Sequence, residues 1–119
     1  MENAILLVGF ITVPLVLIIV GALMWRFPPS PNGMVGYKTA RAQRSNEAWY
    51  AAQTTSGKYM LFSNIPVLVL SIIAGLMPIL TEMPEADITR LTVLVTAVQV
   101  LVIFGVIIAT EIYLAKKFK

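Results

Sequence analysis

Three stretches of the chain, residues 4–25, 59–81 and 91–110, carry no charged side chain. Each is long enough to cross the hydrocarbon layer of a bilayer, which takes about 20 residues of helix. Inside that layer each backbone N–H and C=O needs a partner within its own segment, so such runs fold as helices. The pattern predicts an all-α integral membrane protein of one domain, residues 1–119, with membrane helices at about 4–25, 59–81 and 89–115. The first run has no Lys or Arg before it and no small-x-small site ahead of Arg26, so it is expected to remain as an anchor and not act as a cleaved signal.

The same composition removes whole classes of chemistry. With no Cys and no His, the chain has no thiolate, no imidazole and no usual zinc ligand set, so neither a metal nor a cofactor is expected. No second carboxylate or nucleophile pair accompanies the membrane segments, and the chain reads as a non-enzyme. Nucleic acid is not an expected partner, because no soluble domain remains to bind it. The cations are distributed unevenly. Arg26, Lys38, Arg41, Arg44 and Lys58 lie between the first two runs and Lys116, Lys117 and Lys119 at the C-terminus, whereas Arg90 stands among Glu82, Glu85 and Asp87. Cations flanking membrane helices are retained in the cytoplasm, so the N-terminus is expected outside and the C-terminus inside.

The polar segment 26–58 is where residue order is most distinctive. Pro28, Pro29 and Pro31 forbid helix, and Pro31-Asn32-Gly33 supplies a turn. Gly36 permits positive φ ahead of Tyr37, Lys38, Thr39, Arg41 and Arg44. Ser45 or Asn46 is a suitable N-cap, with Glu47 in the first turn. From there Ala48, Trp49, Ala51 and Ala52 give one apolar side, which predicts a short cytoplasmic interfacial helix ending before Gly57. Trp49 then serves as an interface anchor or as a plug against the membrane helices.

Taken in order, Pro28-Pro29, Gly36-Tyr37-Lys38-Thr39, Arg41, Asn46-Glu47, Trp49 and Gly57-Lys58 resemble the signature of the SdpI family. These are bacterial membrane proteins named for immunity to a secreted sporulation-delaying toxin. Lys38 stands where the family usually has Arg, Ala42 where it has Ser, Ser45 where Asn is frequent and Gln53 where Asn is common. The resemblance implies a multi-pass protein of the bacterial plasma membrane. In that reading it protects against an antimicrobial peptide or holds a cytoplasmic regulator at the membrane.

Two groups of side chains are candidates for function. Tyr37, Lys38, Thr39, Arg41, Arg44 and Trp49 form a donor-rich cluster suited to an anionic lipid headgroup or a partner, the plainer reading being a solvated basic loop. Asn64, Gln99 and Glu111 are polar groups within membrane segments. Counting along the helices places Glu111 and Asn64 at similar depth, so the two can meet, and Lys38 or Arg41 folded back from the loop can pair with Glu111; the equal alternative is a Glu111 that snorkels to the interface. Pro14 should bend the first helix and free the carbonyl of Phe10. Gly9, Gly21, the pair Ser71/Gly75 and the pair Gly105/Ala109 offer places for close helix approach. Thr92, Thr96, Gln99 and Thr110 share one face of the third helix and either bind helices together or line a pathway. Beside immunity or signalling, two further classes fit: an accessory subunit packed against a membrane partner or a second copy, and a small oligomeric transporter using Glu111.

Overall fold

The computed structural model describes residues 2–118. Three helices, α1 (Glu2–Arg26), α2 (Asn46–Leu80) and α3 (Glu85–Lys117), run antiparallel to their chain neighbours, with a short 3-10 turn at Ala42–Arg44 between α1 and α2. All three are long and apolar enough to cross a membrane, and the described residues contain no strand. The bundle is an elongated body of 54 × 23 × 20 Å.

Polarity in this bundle is the reverse of that in a soluble protein. Val8, Ile19, Leu70, Leu94, Leu101 and Ile108 project outward, whereas Gln53, Ser56, Asn64, Ser71, Gln99 and Thr110 are buried. Lipid tails are as apolar as leucine, so no hydrophobic force drives these helices together. They are joined by close backbone contact and by hydrogen bonds.

Close contact dominates between α1 and α2. A Cβ on Gly21 would lie 2.6 Å from the carbonyl oxygen of Gly57, and one on Gly57 would lie 2.7 Å from that of Gly21. Further along, a Cβ on Gly75 would come within 2.9 Å of the Leu7 backbone. Asn3 closes the end of the pair by donating to the carbonyl of Pro78 at 3.0 Å. Gly9 and Gly105, by contrast, have open space beside them, so neither is a contact glycine within this chain.

Hydrogen bonding dominates where α3 meets the other two. Pro14 has no N–H to give to the carbonyl of Phe10, and that carbonyl instead accepts from Gln99 Nε2 at 2.8 Å. The same amide donates to Ser71 Oγ at 3.2 Å, so one side chain links all three helices. Thr110 is buried and bonds its own helix at Val106, while Thr96 faces outward; the threonine face is therefore only partly internal. Ser63 donates to the carbonyl of Met60, not to that of Phe62, which Pro66 leaves without its helical donor.

The separate interfacial helix expected before Gly57 does not occur. Residues 46–57 are helical but continuous with the membrane span, giving α2 35 residues. At about 1.5 Å per residue such a helix is roughly 52 Å long, well beyond a hydrocarbon layer of about 30 Å. Gly57 fits inside the helix because its missing side chain admits α1. Its role is contact, and the helix does not break there.

Candidate functional site

The loop between α1 and α2 folds back onto the protruding ends of α2 and α3. α1 stops where Pro28 and Pro29 follow, and Gly33 N–H donates to Ser30 O at 3.0 Å to close the turn. Gly36 then takes φ 131°, a conformation L side chains rarely adopt. A Cβ there would also approach Gln53 Oε1 to 2.9 Å and Trp49 Cζ2 to 3.0 Å. The backbone therefore passes directly over α2.

Two side chains of α2 grip that passage. Gln53, with no solvent exposure, accepts from Tyr37 N–H at 2.7 Å and donates to Tyr37 C=O at 2.8 Å. Its amide pairs with one residue's backbone as a neighbouring strand would. Trp49 is also buried, and its indole N–H donates to the carbonyl of Pro29 at 2.7 Å. It is thus a plug beneath the loop, and the interface-anchor reading is corrected. Ser45 caps α2 by accepting from Ala48 N–H at 3.0 Å.

Held in this way, the loop presents three side chains to Glu111 of α3. Tyr37 donates its hydroxyl to Glu111 Oε2 at 2.6 Å, and Thr39 donates to the same oxygen at 2.8 Å. Arg41 Nε lies 3.7 Å from Oε1. Thr39 Oγ1 also accepts from Ala42 N–H at 3.3 Å, which ties the 3-10 turn to the same point. Below it, Ala42 and Ala52 pack against Leu114, with Tyr37, Tyr113 and Phe118 around them. Burial, then the hydrogen bond to Glu111 and its charge, push the Tyr37 phenol well above its ordinary range. It remains a neutral donor.

Not every candidate joins this latch. Lys38 turns away and donates to the carbonyl of Met34 at 2.8 Å, so of the two basic residues able to pair with Glu111 only Arg41 reaches it. Asn64 does not meet Glu111; its amide donates to Met60 O at 2.8 Å within its own helix. Arg44 is exposed beside Asn46 and Pro31. Gln99 lies apart, at the three-helix junction. Gln53 was not among the candidates, although it lies one helical turn from Trp49 on the same face of α2, and that spacing was the available signal. The described residues contain no cluster of ligands for a metal.

Fold and site together define a multi-pass membrane protein in which a polar loop is latched to a carboxylate on the last helix. The SdpI/YfhL protein family matches over residues 30–110, from the turn through α2 and nearly to Glu111. The chain belongs to that family. Searches of curated proteins and of solved structures returned no significant match.

Proposed function

We propose that this protein is an SdpI-type immunity or signalling protein, in which the three-helix body receives a membrane-active peptide and the latched loop presents the result. The observation carrying this reading is the grip on the family-signature segment: Gln53 holds the backbone of Tyr37, and Glu111 holds the side chains that follow. A loop tied to the last helix at one carboxylate senses any shift of that helix. The excess of cations on the loop and at the end of α3 supports a cytoplasmic location for this face, beside anionic headgroups and within reach of a regulator. Tyr37, Thr39 and Arg41 surround Glu111, which favours a structural anchor over a transport-coupling group.

The experiment is protection. The chain is expressed in a strain sensitive to a secreted sporulation-delaying peptide toxin, and survival is followed against dose. Protection is expected to require the latch, so Thr39→Val with Glu111→Gln should lose it while membrane levels hold. An unchanged killing dose on expression of the wild-type chain removes the immunity reading, and recovery of a soluble regulator in mild detergent would then support tethering.

A second reading has its own observation. The groove formed by Tyr59, Phe62, Gly105 and Ala109 is open, with nothing within 4 Å of a Cβ built on Gly105. Small residues on an outward helix face suit a partner helix, as in an accessory subunit or a pair of copies.

A further inference from the structure

α1 and α3 each pack on α2 but scarcely on one another, and between them lies a slot of about 340 Å³. Leu17 and Val20 of α1 form one wall, Ile103 and Ile107 of α3 the other, and Met60 of α2 the back. The Gln99–Phe10 bond lies on one side of the slot along the bundle and the Tyr37–Glu111 bond on the other. Its volume is in the range of small-molecule sites. Val20, Ile103 and Ile107 are more than a third exposed, and Leu101, Phe104 and Ile108 beside them face outward, so the mouth opens sideways into the apolar belt.

Two polar side chains reach this slot, Asn64 and Tyr37. Asn64 is 1% exposed, and its amide nitrogen donates to Met60 O at 2.8 Å and to Ser63 Oγ at 3.5 Å. Both amide hydrogens are therefore engaged. Its carbonyl oxygen accepts no hydrogen bond from the described residues, yet no enclosed side-chain polar atom among them lacks a partner. That oxygen therefore opens on the slot. The Tyr37 hydroxyl gives its hydrogen to Glu111 and has only lone pairs left to offer. An acceptor that faces an apolar opening without a partner is costly, and a visiting donor removes that cost.

We propose that the slot binds a neutral lipid bearing a hydroxyl group, its chain between α1 and α3 and its hydroxyl donating to Asn64 Oδ1. The lateral mouth selects a molecule dissolved in the bilayer. Free acceptors without free donors select an alcohol over an ester, ether or ketone. The lining contains no charged side chain, which excludes an ionised headgroup. This assignment stands independently of the immunity reading, because its test measures only occupancy.

The full chain, purified in mild detergent, is labelled with hexadecanol carrying a mid-chain diazirine, and adducts are mapped by mass spectrometry. Adducts should concentrate on Leu17, Val20, Ile103 and Ile107. Unlabelled hexadecanol should compete about 10-fold better than its methyl ether, the change expected from one hydrogen bond. Asn64→Leu should bring that ratio close to one, and Ile107→Trp, at the exposed rim, should suppress labelling without altering Tm. Adducts spread over outward residues such as Leu94 and Leu101, or an ether that competes as well as the alcohol with wild-type protein, would overturn the assignment. The wild-type comparison decides the matter even if the Asn64 variant fails to fold.

Discussion

Glu111 engages both carboxylate oxygens with the loop, one with Tyr37 and Thr39 and the other facing Arg41. Hydrogen bonds to a charged acceptor are each worth roughly 1.5–3 kcal/mol when desolvated, and the Glu111 side chain is 29% exposed, so the discounted expectation for Glu111→Gln is a loss of about 1–2 kcal/mol. Lys38→Ala removes only an exposed contact to Met34 and should change stability by less than about 0.5 kcal/mol. Unfolding in detergent compares the two, and equal losses would mean that the latch is not what holds the loop. Tyr37 adds a dependence on pH. Its folded pKa is raised by burial and by Glu111, so its contribution is complete below about pH 10 and is lost as pH climbs from there toward the folded value. The stability gap between wild type and Tyr37→Phe should therefore narrow from pH 8 to pH 11. A gap that is constant or widening would contradict the neutral-donor role. Sequence alone indicated Arg41 and Glu111 through charge and depth, but a hydroxyl on a loop carries no such signature, and the parts played by Tyr37 and Thr39 needed the fold.

At the scale of elements, glycines of equal appearance in the sequence separate by what lies opposite them. Gly21→Ala forces a methyl against the carbonyl of Gly57 at 2.6 Å, backbone against backbone, with no flexible side chain to give way. Overpacking of this kind costs about 1–3 kcal/mol. Gly105→Ala meets nothing within 4 Å and removes a helix-interior glycine, so it should be neutral or stabilising by up to about 1 kcal/mol. Denaturation midpoints of the two variants should move in different directions or by clearly different amounts, and comparable destabilisation by both would point to a contact of Gly105 outside this chain. These contacts also explain where reading the sequence fell short. Hydropathy located all three spans, because the bilayer imposes length directly, and Ser45 marked the start of α2 through its capping oxygen. Gly57 resembled a stop signal since local propensity disfavours glycine in helices, yet a partner helix made its lack of a side chain useful. Continuity of α2 through residue 57 is a tertiary effect, and no local pattern records it.

Across the whole molecule, Pro14 of α1 and the polar face of α3 prove to be parts of one device. Proline leaves the Phe10 carbonyl without its helical donor, and Gln99 supplies one from another helix while also reaching Ser71. Each feature was visible singly in the sequence; their pairing depends on the relative heights of α1 and α3, which hydropathy does not fix. A double-mutant cycle tests the coupling. Gln99→Leu alone should destabilise by about 1–2 kcal/mol, the upper range for polar contacts between membrane helices, because it strands a buried carbonyl as well as removing a link. In a Pro14→Ala background the restored N–H at position 14 bonds the Phe10 carbonyl within α1, leaving less for Gln99 to satisfy. The cost of Gln99→Leu should then fall by about 0.5 kcal/mol or more. Additive costs would mean that Gln99 acts through Ser71 alone, and that α3 is attached to the bundle through α2 without a direct tie to α1.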